Sequence, residues 1–375
     1  MAALLASSGD PSPSDRSPSD RSRADPAMTA ACDRLPKVEL HCHVEGTVRP
    51  ATVVELAHKA GRPLPVEDPT ELYLYDSLDS FLSIFWLVQE TVVDRDDWAR
   101  IAEESLLDGA AHGLRYREMF FTPARHLAAG RSLDDIVAGL TDGIERAEAT
   151  TDVRCFLIGD IDRAYGPAAG QEFVEALGAL RRSGRAERVI GIGADSTELG
   201  IDLAGFEPAF ASARRLGFRR TFHAGEAVGA GPANIRTALD VLGVERIDHG
   251  VALAEDAELM SRVAGDGIPL TACPWSNVVI ANRYASLADH PFRMFRDAGV
   301  LQTVNTDDPG MMDWDLGREY AALGIAQGFD LDELAAIAIE GIASTWLDPV
   351  DQAALWRAFT AEIEAMSSAP APHTV

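Results

Sequence analysis

Residues 221–226 read Thr-Phe-His-Ala-Gly-Glu, and this stretch indicates the class of fold. It overlaps the end of a short β-like run, Phe218 to Phe222, so a histidine and a glutamate stand just past a strand. Imidazole nitrogen and carboxylate oxygen are ligands that suit Zn²⁺, and a carboxylic acid beside a metal can also move protons. Strands that end in such groups are typical of α/β barrels, where chemistry takes place at the carboxyl ends of the strands.

The same arrangement recurs along the chain. Polar residues stand at or just past β-like runs at five positions: His41, His43, His223, His249 and Asp307. On an extended strand alternate side chains point to one face, so the H-x-H pair of His41 and His43 delivers two ligands side by side. Three imidazoles and one carboxylate can fill a metal site.

Eight β-like runs alternate with amphipathic helical patterns from residue 35 onward. The runs are Val38–Leu40, Leu114–Phe121, Val153–Ile161, Val189–Ala194, Arg220–His223, Arg246–His249, Pro269–Ala272 and Leu301–Asn305. This alternation predicts an α/β fold with a parallel sheet, and eight units predict a (β/α)₈ TIM barrel with a helical insertion after strand 1 and C-terminal helices.

The domain organisation follows from composition. Residues 1–34 contain Ser-Pro-Ser-Asp-Arg twice and predict a disordered N-terminal tail, with Met28 as a candidate start. Residues 35–368 form the barrel domain, and 369–375 a flexible C-terminal tail. The insertion, residues 66–110, carries the aromatic pair Phe81 and Phe85, and is either a helix on the barrel exterior or an apolar lid over the pocket mouth.

The bulk properties exclude several classes of protein. A formal charge of −26 and a pI near 4.6 argue against a nucleic-acid partner, because phosphate binding needs grouped Lys and Arg. No apolar run approaches the roughly 20 residues that span a bilayer, and the N-terminus lacks the features of a signal peptide. Four dispersed cysteines without a C-x-x-C pair indicate a reducing cytoplasm. A small, roughly neutral ligand fits best, and a homo-oligomer is compatible with the sequence.

Each motif also has a structural interpretation. Glu226 could cap the next helix, His249 could be a buried core histidine, and Asp307-Asp308 before a proline could be a turn. Two adjacent carboxylates repel each other unless one binds metal or stays protonated, and either outcome suits an active site. The chain has only two lysines, neither of them at a fourth-strand end, which favours one metal over a pair bridged by a carboxylated lysine.

Other polar residues receive no role at this point. Asp248 is interpreted as structural, and three acids on inner strands stay unassigned: Glu118, Asp160 and Asp162. The remaining histidines fall in helical, loop or tail contexts: His58, His112, His126, His290 and His373.

Five segments together resemble the adenosine/adenine deaminase family of zinc aminohydrolases. They are residues 37–46 (Lys-Val-Glu-Leu-His-Cys-His-Val-Glu-Gly), 223–226 (His-Ala-Gly-Glu), 247–250 (Ile-Asp-His-Gly), 274–277 (Pro-Trp-Ser-Asn) and 305–309 (Asn-Thr-Asp-Asp-Pro). They occur in the family's order, and the resemblance extends over nearly all of residues 35 to 365.

The resemblance implies a (β/α)₈ barrel with one Zn²⁺ per chain, held by His41, His43, His223 and Asp307. It implies hydrolytic deamination of a 6-aminopurine, in which water activated by the zinc adds to ring carbon 6 and ammonia leaves. Glu226 would protonate ring nitrogen 1, and His249 would orient or deprotonate the water. Asp308, protonated, would hydrogen-bond ring nitrogen 7.

The substrate is narrowed but left open. The adenosine branch typically has Asp where this chain has Glu45, and Gly where it has Ser196. These two residues, with Phe81 and Phe85, are the remaining candidate substrate contacts. The resemblance favours adenine to hypoxanthine over adenosine to inosine, with a modified adenine or a 5′-modified adenosine as the alternative. Two other classes compete: a barrel hydrolase acting on another cyclic substrate, and a non-catalytic binding protein.

Overall fold

Short parallel strands form the centre of the part of the chain that the computed structural model describes, residues 25–66, 68, 71–74 and 78–368. In chain order they are β1 (Lys37–Glu39), β2 (Leu114–Phe121), β3 (Arg154–Asp162), β4 (Val189–Asp195), β5 (Arg219–Arg220), β6 (His223–Ala224), β7 (Ile247–His249), β8 (Leu270–Ala272) and β9 (Gln302–Val304). They pair in the orders β1-β2-β3-β4-β5 and β6-β7-β8-β9, every pair parallel.

Hydrogen bonds between the two sheets close them into one barrel. β5 and β6 are two pieces of a single barrel position, because the Thr221 N–H between them donates to the Ile192 carbonyl of β4 at 3.0 Å. At the other seam, the Asp307 N–H donates to the His41 carbonyl at 3.1 Å, and the His43 N–H to the Asp307 carbonyl at 2.9 Å. Eight barrel positions result, and the predicted (β/α)₈ TIM barrel is confirmed.

Helices surround the strands. They are α1 (Pro26–Arg34), α2 (Pro50–Ala60), α3 (Leu78–Thr91), α4 (Arg95–Ala111), α5 (Ala124–Ala128), α6 (Leu133–Glu148), α7 (Gly166–Arg182), α8 (Glu207–Arg215), α9 (Pro232–Thr237), α10 (Ala257–Gly265), α11 (Pro274–Val279), α12 (Phe292–Asp297), α13 (Leu316–Gln327), α14 (Leu331–Glu340) and α15 (Pro349–Ser368). Polar caps start several of them; in α4, Asp94 and Asp97 form a capping box. Within the described ranges, no helix is both long and apolar enough to cross a bilayer.

The predicted boundary of the N-terminal tail is wrong. Residues 26–34 form α1, whose Cys32 is fully buried, so folded structure begins before residue 35. The reason is Lys37, whose buried ammonium group donates to the carbonyl oxygens of Cys32, of Leu35 at 2.6 Å and of His112 at 2.7 Å. These bonds join the end of α1 to the barrel. Residues 1–24 and 369–375 lie outside the described residues.

Three helices, α2, α3 and α4, lie between β1 and β2; α3 and nearly all of α4 fall within the predicted insertion, residues 66–110, and α2 precedes it. Helix α3 contacts the turn formed by residues 44–47 and also α5. That turn and α5 follow the carboxyl ends of β1 and β2, so α3 lies at the end of the barrel that carries the polar residues. This position favours the lid interpretation of the insertion over an exterior helix.

Two buried ion pairs lie among the barrel strands. The Arg117 guanidinium contacts the Glu39 carboxylate at 2.5 Å, and the Arg246 guanidinium contacts the Glu118 carboxylate at 2.6 Å. Glu39 also accepts from the backbone N–H of Thr306 at 3.0 Å, which ties β1 to the loop after β9. Breaking a buried pair leaves an uncompensated charge and costs roughly 3–5 kcal/mol, so these residues hold the barrel together and Glu118 has a structural role.

Candidate metal centre and active site

Four predicted metal ligands converge at the carboxyl ends of the strands. His41 and His43 follow β1, His223 opens β6 and Asp307 follows β9. His41 Nε2 lies 3.2 Å from Asp307 Oδ1, His43 Nε2 lies 3.4 Å from the same oxygen, and His43 Nε2 lies 3.2 Å from His223 Nε2. The H-x-H pair therefore presents both imidazoles to one point, as alternation along an extended strand requires.

The donor atoms fit a metal ion better than they fit one another. His41 Nε2 is buried and makes no hydrogen bond to any described residue, although the Asp307 carboxylate is 3.2 Å away. Burial lowers the pKa of His43 to about 4 and that of His223 well below its usual value, so both imidazoles are neutral. Neutral imidazoles facing each other with lone pairs available, beside one carboxylate, are the donor set of a zinc site.

Asp248 orients two of the imidazoles. The His41 Nδ1 proton points to Thr271 Oγ1 at 2.9 Å, and the Thr271 hydroxyl donates to Asp248 Oδ1 at 2.8 Å. Asp248 Oδ2 lies 3.6 Å from His223 Nδ1. Holding the proton of His41 on Nδ1 leaves Nε2 free to bind a metal, which is the usual arrangement of a carboxylate behind a metal-binding histidine.

Left-handed backbone at two positions brings adjacent residues to the same pocket. His249 has φ of +58° and Asp307 has φ of +64°, a region that residues other than glycine adopt uncommonly. Because of this turn, Asp248 and His249 both reach the site, although alternation would send them to opposite faces. For the same reason, the side chains of Asp307 and Asp308 both reach the pocket. Such strain clusters where the surrounding structure imposes it, often at active sites.

Glu226 stands beside His249 at the edge of the four predicted metal ligands. Its Oε1 lies 3.7 Å from His249 Nε2, and its side chain is 23% exposed, so a ligand can reach it. Desolvation in the pocket, and then the nearby charges of Asp307 and Glu198, raise the pKa of Glu226 to about 8. A carboxylic acid that is protonated near neutral pH can donate a proton to a ring nitrogen.

The loop that carries Glu226 is held from two sides. Glu198 accepts from the backbone N–H groups of Gly225 at 2.8 Å, Glu226 at 2.7 Å and Ala227 at 2.9 Å. Arg283 donates to the carbonyl oxygens of the same loop, including that of Ala230 at 3.0 Å. Glu198 thus binds the donors and Arg283 binds the acceptors, which fixes the position of the Glu226 side chain.

Further buried acids adjoin the predicted metal ligands. Asp160 and Asp195 come within 4.8 Å of a ring nitrogen of His43, and Glu45 accepts from the Thr122 N–H at 2.8 Å. Burial raises the pKa of Glu45 to about 7 and that of Asp195 to about 8, and raises the pKa of Asp160 well above its usual value. These acids make the pocket poor in positive charge and rich in hydrogen-bonding oxygens.

Asp308 belongs to the same pocket. Burial, and then the neighbouring Asp307 carboxylate, raise its pKa well above the usual value. Its side chain fills the space beside Gly46, where an added Cβ would come within 1.8 Å of Asp308 Oδ1. Gly46 is therefore required for the close approach of the loop after β9 to the loop after β1, and a protonated Asp308 can donate to a ligand.

The three other predicted substrate contacts are placed differently. Ser196 lies in the loop after β4 with φ of +71°, is exposed, and its carbonyl accepts from Arg163. Phe81 and Phe85 stack on α3 with ring centroids 5.9 Å apart, Phe81 buried and Phe85 partly buried. Their contact with a substrate stays a prediction.

Sequence reasoning missed the residues that position the site. Asp248, Thr271, Ser276, Asn277, Glu198 and His290 all hydrogen-bond to a ligand, a candidate catalytic residue or its loop, directly or through one neighbour. Ser276 donates to Asp307 Oδ2 at 2.6 Å. The segments 247–250 and 274–277 contained a signal for Asp248, Ser276 and Asn277, since they belong to matched motifs. Residues 195–198 and 286–291, which contain Glu198 and His290, are similar to the adenine-type branch of the family, but that similarity assigned neither residue a role.

The adenosine deaminase family model matches residues 36–361. The chain belongs to the adenosine deaminase family. It is 35% identical over 334 residues to the adenine deaminase of Streptomyces coelicolor, an alignment that covers 88% of this chain and 95% of that protein.

Solved structures agree with the family assignment. A zinc-bound amidohydrolase from Burkholderia ambifaria superimposes with a TM-score of 0.82 at 31% identity, covering 92% of this chain and 96% of that one. The N6-methyl-AMP deaminase of Arabidopsis thaliana superimposes with a TM-score of 0.78 at 25% identity, covering 89% and 98%. The family and the zinc-bound neighbour, together with the donor set of His41, His43, His223 and Asp307, make this chain a zinc-dependent purine deaminase.

Proposed function

We propose that this deaminase acts on free adenine, which it hydrolyses to hypoxanthine and ammonia. The observation that carries the proposal is a set of buried acids beside the metal ligands, each with an oxygen that has no hydrogen-bond partner in the described part of the chain: Glu45, Asp160, Asp195 and Asp308. Buried polar groups are nearly always satisfied, so these oxygens call for a ligand rich in hydrogen-bonding edges.

Adenine matches this pocket in charge and in hydrogen bonding. It is uncharged, its exocyclic amine and one imidazole-ring nitrogen carry protons, and its other ring nitrogens accept. A protonated Asp308 can donate to an acceptor nitrogen, while the carbonyl oxygen of another carboxyl group can accept the ring N–H. A nucleoside has a sugar on the nitrogen that carries this proton in the free base, and therefore lacks that donor.

The same acids argue against a nucleotide. Binding of a phosphate dianion normally requires Arg, Lys or clustered backbone N–H groups, whereas these side chains supply carboxyl groups. The two terminal nitrogens of the buried Arg163 already donate to backbone, one to the carbonyl oxygen of His223 at 2.6 Å and the other to that of Ser196. A modified adenine or a 5′-modified adenosine remains the alternative, and only an uncharged derivative suits this pocket.

The roles of the chain's residues follow from their positions. His41, His43, His223 and Asp307 would hold the zinc, which, when bound, lowers the pKa of a coordinated water to near neutrality. Glu226 supplies a proton to ring nitrogen 1, which weakens the aromatic bonding of carbon 6 and makes it electrophilic. His249 contacts the oxygen that adds to that carbon, and Asp308 holds ring nitrogen 7.

We place the activity in the cytoplasm. All four cysteines are buried and free, which fits a reducing compartment.

The test is ammonia release by the zinc-loaded protein, with ultraviolet spectra to identify products. The panel is adenine, adenosine, 2′-deoxyadenosine, N6-substituted adenines, 5′-modified adenosines, AMP and guanine, and Glu226→Gln serves as the zinc-loaded control. We expect adenine to have the highest kcat/KM. A higher kcat/KM for a nucleoside or for AMP would refute the free-base proposal. N6-substituted adenines release an amine instead of ammonia and are followed by their spectra, so neither ammonia nor a spectral change with any compound would refute deamination of this substrate class.

A further inference from the structure

A chain of hydrogen bonds runs from the backbone of α12 to His249. The Phe292 N–H donates to His290 Nδ1 at 3.2 Å, His290 Nε2 lies 3.1 Å from Asn277 Oδ1, and Asn277 Nδ2 lies 3.1 Å from His249 Nδ1. All three side chains are buried: Asn277 is 0% exposed, His249 1% and His290 4%. Neither Asn277 nor His290 contacts the metal ligands in these bonds, so they act on the site only through His249.

The direction of every bond in this chain is determined by its first donor. A backbone N–H can only donate, so His290 Nδ1 must accept. Burial lowers the pKa of His290 to about 3, so its ring is neutral and its single proton lies on Nε2. That proton must be donated to Asn277, which therefore turns its oxygen to His290 and its NH₂ group to His249.

We infer that Asn277 and His290 are positioning residues that hold the proton of His249 on Nε2. Because the Asn277 NH₂ group donates to His249 Nδ1, that nitrogen carries a lone pair, and a neutral His249 must carry its proton on Nε2. This nitrogen faces the site: it lies 3.7 Å from Glu226 Oε1 and 3.9 Å from Asp307 Oδ2.

The consequence concerns which of two roles His249 takes in the proposed deamination, on which this inference rests. A proton on Nε2 makes His249 a hydrogen-bond donor toward the oxygen that adds to carbon 6, and leaves it without a lone pair there to remove a proton. The opposite tautomer would require Asn277 to flip and His290 to move its proton to Nδ1. The His290 Nδ1 proton would then face the Phe292 N–H, so that two donors would point at each other without an acceptor.

The decisive variant is Asn277→Asp, which keeps the shape of the side chain and changes the direction of one bond. A carboxylate has no proton to donate and accepts from both sides, so His290 keeps its bond while His249 must place a proton on Nδ1. Asn282→Asp is the matched control: it makes the same chemical change at an exposed position five residues along the chain.

The readout is the ¹⁵N spectrum of zinc-loaded protein with labelled histidines, in which protonated and unprotonated ring nitrogens resonate far apart. His249 is assigned by comparison with His249→Gln. We expect wild type and Asn282→Asp to have His249 protonated on Nε2 alone, and Asn277→Asp to have a proton on Nδ1. A wild-type His249 protonated on Nδ1 would overturn the inference, and so would an Asn277→Asp spectrum that is unchanged at His249 at a pH where the new carboxyl group is ionised.

Kinetics supply a second measurement. We expect Asn277→Asp to lower kcat/KM by about 10–100-fold with zinc content near one, since changes to residues that orient a site typically have this effect. Asn282→Asp should keep wild-type kcat/KM. Full activity in an Asn277→Asp protein whose His249 proton has moved would refute the donor role. The spectra need no turnover, so they test the tautomer even if adenine proves to be the wrong substrate.

Discussion

Replacing Glu198 by Gln tests whether the Glu226 loop is held by a carboxylate. Oε1 of Glu198 accepts from the N–H groups of Glu226 and Ala227, and Oε2 accepts from the Gly225 N–H and from Asn234 Nδ2 at 2.7 Å. In Glu198→Gln one of the two oxygens becomes an NH₂ group. Two accepted hydrogen bonds are lost, and the new NH₂ group then faces the two N–H groups that the replaced oxygen had bound.

The magnitude follows from the bonds that are lost. Hydrogen bonds to a charged group contribute about 1.5–3 kcal/mol each, so losing two sets an upper limit of about 3–6 kcal/mol. The loop is partly exposed and can move, so most of this free energy appears as a displaced Glu226 and less as global unfolding. A misplacement of about 1 Å costs about 100-fold in rate. We expect kcat/KM for adenine to fall by about 100-fold in Glu198→Gln.

The assay is ammonia release, with zinc content and melting temperature measured on the same preparation. Glu207→Gln is the control, because it removes one negative charge at an exposed position in the first turn of α8. If Glu198 holds the Glu226 loop in place, Glu207→Gln should behave as wild type and Glu198→Gln should keep its zinc. Full activity in Glu198→Gln would refute the reasoning, and loss of zinc would show that Glu198 acts through His223 instead.

Three further predictions concern single side chains. Glu226→Gln should lower kcat by more than about 100-fold, because the acid that protonates ring nitrogen 1 is gone, while metal analysis finds zinc near one; loss of zinc would assign Glu226 to the metal instead. His223→Ala should lose both metal and activity after dialysis against a chelator, and zinc retained at one per chain would contradict the ligand set. Glu319 accepts from the Trp275 N–H at 2.9 Å and the Trp314 indole at 2.5 Å, and burial raises its pKa from 4.5 to about 8. Between these values the folded state binds more protons than the unfolded state, so this group's contribution to stability is present at low pH and is lost as pH rises toward about 8. Glu319→Gln should therefore flatten the fall in melting temperature between about pH 5 and pH 8, and an unchanged slope would count against a raised pKa.

Local sequence predicted the strands well because their signals are local. The second strand was predicted as Leu114–Phe121 and has those bounds, and the ends of the other strands, apart from the fifth, differ by at most one residue. The fifth strand was less accurate: the predicted Arg220–His223 is observed as β5 and β6 with a gap between them. The pieces still align as one barrel position because the Thr221 N–H bonds to β4 across the gap.

The boundary of the N-terminal tail was misplaced because the contact that holds α1 on the barrel joins residues far apart in the sequence. The low-complexity repeat that suggested a tail lies outside the described residues, whereas the end of α1 is held partly by a carbonyl at His112, more than seventy residues away, through the ammonium of Lys37. Composition alone contains no information about such a contact. His290 illustrates the same limit, since only the folded chain places it behind Asn277 and His249.

The sequence by itself determined the barrel and the kinds of atoms at its rim. Strand periodicity and the placement of His41, His43, His223 and Asp307 after β-like runs depend only on local residue order, because carboxyl ends of parallel strands must meet at one edge. Tertiary structure alone decided how those atoms act. The left-handed turns at His249 and Asp307, which bring neighbouring side chains to one pocket, and the proton direction set by Phe292, His290 and Asn277 arise from contacts between segments far apart in the chain.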